Sequence, residues 1–303
     1  MTTQMITRRE AIRLLGSASV GAWFAGQIAP NFSGTRNVSG AKYDSAPPLA
    51  PGTPISPERI AVIDAFKKQS EGLEKEFEPL THKSDWEMPY RLYRPGSTGK
   101  LPLVLYLHGS GGLGDDNVKQ LGLGNVFGTR VWLLPENQKR FPCYVVVPQT
   151  DRGWIRYDFS QQPAKELPGF GDGARLALEI VDRLCHEFAI DERRIYVTGQ
   201  SMGGAGAWNV LTNRSQFFAA AVICCASTST DDGSGSIETP LWNFHGASDE
   251  TVAVSVSRDR IAARREAGGR PIYTEYAGVG HNVWEWAYTE PALPQWVFSQ
   301  TRS

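Results

Sequence analysis

The chain has 303 residues, 41% of them hydrophobic and 21% charged, and its 31 Lys and Arg against 32 Asp and Glu leave a formal net charge of -1. That balance excludes a disordered or fibrous chain and supplies no long-range field for nucleic acid or an anionic lipid surface. Four Cys over this length do not make a disulfide scaffold.

In chain order, Arg8 and Arg9 come first, followed by an apolar stretch from about Leu14 to Ala29 that is interrupted by Gly16, Ser17, Ser19, Gly21 and Gly26. The stretch falls short of the ~20 apolar residues that a spanning helix needs, so no stable membrane insertion is expected. Thr7-Arg8-Arg9-Glu10-Ala11-Ile12-Arg13 resembles the twin-arginine consensus. This implies that residues 1–41 are an export signal handled by the twin-arginine machinery, and that the protein is periplasmic or extracellular. Residues 42–57 are rich in Pro and read as a linker, and residues 58–303 read as one domain.

From Pro57, the spacing of Ile60, Ile63, Phe66 and Leu73 predicts a helix. Residues 77–94 predict one or two strands around Trp86, Tyr90 and Leu92. Six apolar runs follow: 101–107, 143–147, 195–198, 219–225, 241–244 and 272–276. Runs that are apolar on both faces predict a mostly parallel sheet covered on both sides. Helices fit between them at 173–188, with Leu176, Ile180, Leu184 and Phe188 on one stripe, at 204–211, and at 252–267 before Gly268-Gly269. The expected fold class is therefore α/β. The Cys read as buried thiols acting as small hydrophobes, with a Cys143–Cys185 pair as the alternative. Cys224 and Cys225, as strand neighbours, are expected on opposite faces.

The chemistry concentrates in four places. Ile195-Tyr196-Val197-Thr198-Gly199-Gln200-Ser201-Met202-Gly203-Gly204 is a strand running through G-x-S-x-G into a small-residue helix. This is the pattern of a nucleophile elbow, which needs small residues at Gly199 and Gly203 and projects the Ser201 hydroxyl above the sheet. A serine hydroxyl is a weak nucleophile without a base. His281, in the glycine-flanked loop after the last strand, is the candidate base, while His108 and His245 precede glycines at strand ends and read as loop braces. Asp249, just past the fifth run, is the candidate acid; Glu250, Asp231, Asp232 and Glu238 are its neighbours in sequence. The loop His108-Gly109-Ser110-Gly111-Gly112 can aim backbone amides at an oxyanion, with donors expected from Ser110 and Met202 and Gly111 as the alternative. Trp154 and Trp284 are candidate substrate-lining residues, with rim or core packing as the other reading. A P-loop, an H-E-x-x-H motif and a Cys/His ligand spacing are all absent from the sequence, so no metal site is expected.

Together the segments 108–117, 194–204, 244–252 and 275–288 resemble the α/β-hydrolase superfamily. They are similar in particular to bacterial secreted esterases related to feruloyl and acetyl xylan esterases and to polyhydroxybutyrate depolymerases. The resemblance implies a central, mostly parallel sheet with helices on both faces and no large lid domain. It also implies a Ser201–Asp249–His281 triad and no cofactor. The expected substrate is a small-molecule or polysaccharide-linked ester with a short-chain, aryl or carbohydrate acyl group. Two other functions compete: a serine peptidase of the prolyl oligopeptidase type, and a non-catalytic carbohydrate- or partner-binding module on the same scaffold.

Overall fold

The computed structural model describes residues 56–158, 160, 165–214, 216–227 and 237–302. The expected export signal and nearly all of the expected linker lie outside these residues. Ten strands are described: β1 (Glu78–Lys83), β2 (Glu87–Tyr93), β3 (Leu101–Leu107), β4 (Tyr144–Pro148), β5 (Tyr157–Asp158), β6 (Lys165–Glu166), β7 (Ile190–Gln200), β8 (Ala220–Cys224), β9 (Leu241–Gly246) and β10 (Ile272–Tyr276). The helices are α1 (Pro57–Gln69), α2 (Asn125–Arg130), α3 (Pro135–Arg140), α4 (Asp172–Glu187), α5 (Met202–Asn213), α6 (Ser255–Glu266), α7 (Trp284–Ala287) and α8 (Leu293–Ser299).

Eight strands form one sheet in the order β1-β2-β4-β3-β7-β8-β9-β10, and β5 pairs with β6 separately. β1 and β2 run antiparallel at one edge, and every pairing from β4 to β10 is parallel. β3 sits between β4 and β7, so the chain leaves β3 first to one side and then returns to the other. The carboxyl ends of β3 and β7 meet at this reversal, where open α/β sheets form their clefts.

The apolar runs hide a period of two. Leu103, Leu105 and Leu107 join one core layer with Leu176, Ile180 and Leu184 of α4 and Trp208 of α5. Val104 and Tyr106 enter the opposite layer with Phe66 of α1, Phe127 of α2 and Trp296 of α8. Both faces are thus covered, which is why polar positions are missing from these strands.

Local differences from the sequence expectations have physical causes. The α1 stripe is Val62, Ile63 and Phe66, while Ile60 is 46% exposed. Leu73 belongs to a separate 3-10 turn, because the helix ends at Ser70 and Gly72 takes φ +85°. Arg59 donates to the Thr289 carbonyl at 2.8 Å and Lys67 pairs with Glu285 at 3.0 Å, so α1 clamps the segment around α7. Cys224 and Cys225 share one core layer, because the strand ends at Cys224 and Cys225 turns to φ +37°. All four Cys are free thiols. His82 is buried against Glu179, 3.0 Å away. Among the described residues, no helix is long and apolar enough to cross a membrane.

Candidate active site

β7 delivers Ser201 to the turn before α5 with φ +52°, a left-handed conformation that costs a non-glycine residue free energy and persists only where its surroundings enforce it. A Cβ on Gly203 would lie 1.9 Å from the Leu107 carbonyl oxygen, and one on Gly199 would lie 2.3 Å from the Gly203 carbonyl oxygen. The glycines therefore let the end of β3, the end of β7 and the start of α5 share one point. The Ser201 amide donates to the Cys224 carbonyl at 2.9 Å, which fixes the turn to β8.

The loops after β9 and β10 are joined to each other. Ala247 donates to the Tyr276 carbonyl and Ser248 to the Val279 carbonyl, both at 2.9 Å. This brings Asp249 and His281 together across 32 residues of sequence. His281 Nδ1 lies 2.8 Å from Asp249 Oδ2, and His281 Nε2 lies 2.9 Å from Ser201 Oγ. The Asp249 side chain is fully buried and that of His281 is 20% exposed. Asp249 Oδ1 accepts from the Thr251 amide at 2.9 Å and the Val252 amide at 2.8 Å, so both carboxylate oxygens are held. Glu250 and Glu238 are exposed, and Asp231 and Asp232 fall outside the described residues.

A second histidine touches the same carboxylate. His245 Nε2 lies 3.0 Å from the Val252 carbonyl oxygen and 3.3 Å from Asp249 Oδ2, and its Nδ1 lies 2.7 Å from Ser257 Oγ. Burial pushes its pKa down. A neutral ring with the proton on Nε2 satisfies all three contacts. The sequence marked His245 only as a loop brace; its contact with the acid depends on the turn at 246–249.

The loop after β3 is fixed from beneath. His108 is fully buried, which lowers its pKa to about 4. Its Nδ1 faces the Gly109 carbonyl oxygen at 2.8 Å, and its Nε2 accepts from the Thr150 amide at 3.2 Å, which defines a neutral ring protonated on Nδ1. Asn125 Oδ1 accepts from the Gly109 amide at 3.0 Å and lies 3.0 Å from the Tyr106 hydroxyl. Gln149 donates to the Gly112 carbonyl at 3.1 Å and to Asp116 Oδ1 at 3.0 Å. Tyr106, Asn125 and Gln149 escaped the sequence reading because their partners are distant along the chain. Ser110 is exposed and Met202 half-buried. Neither backbone amide has an acceptor among the described residues. Both are therefore candidate donors to an anion.

Trp284 stands beside the triad, its ring edge-on to His281 with centroids 5.4 Å apart. Trp154 does not line the cleft, which corrects the sequence expectation. It is 0% exposed, and its indole N–H donates to the His108 carbonyl at 2.9 Å, bracing the loop from below. Cys225, Asp249 and His281 offer three possible ligand atoms within 4.8 Å of one another. The Asp249 and His281 atoms are already paired to each other, and the Cys225 thiol faces the His281 carbonyl at 3.4 Å.

No protein-family model and no curated protein sequence matches the chain. Solved structures do. A thermostable esterase is 32% identical with a TM-score of 0.69, over 76% of this chain and 64% of that one. A Pyrococcus horikoshii acylaminoacyl peptidase is 15% identical with a TM-score of 0.52, over 75% of this chain and 42% of that one. A fluorophosphonate-binding serine hydrolase of Staphylococcus aureus, solved with substrate bound, is 14% identical with a TM-score of 0.53, over 73% and 97% of the two chains. The latter two likenesses concern the fold alone. The chain spans less than two thirds of the esterase's length and under half of the peptidase's. Sheet order, elbow and these likenesses together show an α/β-hydrolase fold.

Proposed function

We propose that the protein is an exported serine carboxylic ester hydrolase acting through an acyl-enzyme on short-chain, aryl or carbohydrate-linked acyl esters. The observation that carries this reading is the unbroken line from Ser201 Oγ through His281 to Asp249, at 2.9 and 2.8 Å. His281 Nε2 takes the Ser201 proton as Oγ bonds to the ester carbonyl carbon. The free amides of Ser110 and Met202 receive the charge that develops on the carbonyl oxygen. His281 then passes the proton to the departing alcohol oxygen as the acyl carbon–oxygen bond breaks. Water repeats the sequence and releases the acid. Asp249 holds the ring tautomer and stabilises its charged form.

Hydrolysis of p-nitrophenyl acetate and butyrate tests the reading. The protein is expected to turn both over, and Ser201→Ala to lower kcat by on the order of 10⁴–10⁶-fold with an intact fold. Cleavage of acyl-peptides without ester hydrolysis would move the assignment to a peptidase, and ligand binding without turnover to a binding module. Export rests on Arg8 and Arg9. Replacing both with Lys is expected to hold the protein in the cytoplasm of a twin-arginine-competent bacterium, and unchanged export would remove that part of the proposal.

A further inference from the structure

Four large hydrophobic side chains are exposed among the described residues, and three of them, Leu113, Val118 and Leu123, lie in the segment following the oxyanion loop. Leu123 is doubly unfavourable, 78% exposed and at φ +48° between Gly122 and Gly124. Its position explains what it does. Leu123 Cδ1 lies 3.3 Å from where a Gly111 Cβ would stand, so the side chain leans over the oxyanion loop. The Trp284 indole lies 2.8 Å from where a Gly124 Cβ would stand, so the ring rests against the next backbone unit. The same ring system also meets His281, with centroids 5.4 Å apart. An apolar wall thus runs from Gly111 over Leu123 and Trp284 to the catalytic imidazole.

The chemistry decides which half of an ester faces this wall. His281 Nε2 must deliver the proton to the oxygen that leaves as the acyl carbon–oxygen bond breaks. That oxygen therefore lies within hydrogen-bond reach of the imidazole, and the group attached to it lies on the imidazole's side of the cleft. We propose that Leu123 and Trp284 form the subsite for the alcohol half of the substrate, and that this half is an aromatic alcohol. This rests on the ester-hydrolase reading and assigns the aromatic group to the departing half, not to the acyl half. A flat indole and an exposed Leu suit an aromatic ring, and neither side chain offers an acceptor to the hydroxyl groups of a sugar.

The test holds the acyl group constant. Benzyl, methyl and glycosyl acetates share one acyl-enzyme, so differences in kcat/KM report the departing half alone. The wild type is expected to prefer benzyl over methyl acetate by roughly tenfold or more, the effect of burying part of a phenyl ring. Trp284→Ala and Leu123→Asn are each expected to lower kcat/KM for benzyl acetate at least about fivefold more than for methyl acetate. Asn adopts a left-handed conformation readily, so Leu123→Asn is also expected to keep or raise Tm. Equal losses on both esters would make the residues merely structural and overturn the proposal. So would a wild-type preference for the glycosyl ester, or an aromatic preference that appears only when the ring is moved to the acyl side, as in methyl phenylacetate. Loss of the ester-hydrolase reading looks different: all three acetates would remain untouched, or Ser201→Ala would still turn them over.

Discussion

Gly203→Ala probes whether the elbow and the oxyanion loop are one rigid unit. The new methyl would stand 1.9 Å from the Leu107 carbonyl oxygen and 2.7 Å from that of His108. The first distance is roughly 1.5 Å inside an ordinary heavy-atom contact. Both obstacles are backbone, so no rotamer change relieves them, and the loop after β3 must move away from Ser201. Overpacking of this kind costs about 1–3 kcal/mol, which for a domain of this size lowers Tm by roughly 2–12 °C. The kinetic effect is larger. A displacement of about 1 Å at the reacting centre costs on the order of 10²-fold, and loss of one oxyanion donor costs about 10²–10³-fold in kcat. Gly280→Ala is the control: its methyl would meet nothing closer than 3.8 Å, although it adjoins His281. Circular-dichroism melting and kcat on p-nitrophenyl acetate measure both effects. Wild-type kcat and Tm in Gly203→Ala, or equal losses in the two variants, would refute the reasoning.

Two further outcomes follow from the buried polar groups. Burial holds His108 at about 4 in the folded chain against an ordinary 6.5, so between these values the unfolded chain binds the extra proton. Stability from this group is complete above pH 6.5 and falls as pH drops towards 4, by roughly 3 kcal/mol in total. The burial-lowered pKa of His245 acts with the same sign. Urea unfolding at pH 7.5, 5.5 and 4.5 is expected to show this decline, with a shallower one in His108→Gln; equal slopes in the two proteins would contradict it. Asp249→Asn is expected to reduce kcat by about 10⁴-fold while the fold persists, because a neutral amide no longer stabilises the charged imidazole. Steady-state kinetics on p-nitrophenyl acetate check this, and a loss of less than tenfold would point to a different acid.

Much of this site is local in sequence and was legible there. Gly199 and Gly203 announce a turn tight enough to strain Ser201, and the runs at 101–107 and 219–225 announce strands buried on both faces. Asp249 and His281 follow from their places after strands. What was not legible depends on partners brought together by the sheet. Trp154 reads as a cleft residue from its neighbourhood, yet its indole turns under His108. Leu123 gave no signal in the sequence, and its meaning requires Gly111 and Trp284 beside it. The pairing of His82 with Glu179 of α4 spans 97 residues and leaves no local signal. α7 and α8 are too short, at 4 and 7 residues, for a periodic signal to emerge.

The central claim is that Ser201 is an activated nucleophile and that His281 activates it. Labelling with a fluorophosphonate, followed by peptide mass spectrometry, tests this most directly. The prediction is one adduct per chain on the peptide bearing Ser201, none in Ser201→Ala, and labelling slowed by at least about 10²-fold in His281→Ala. An adduct on another residue, or a rate indifferent to His281, would contradict it.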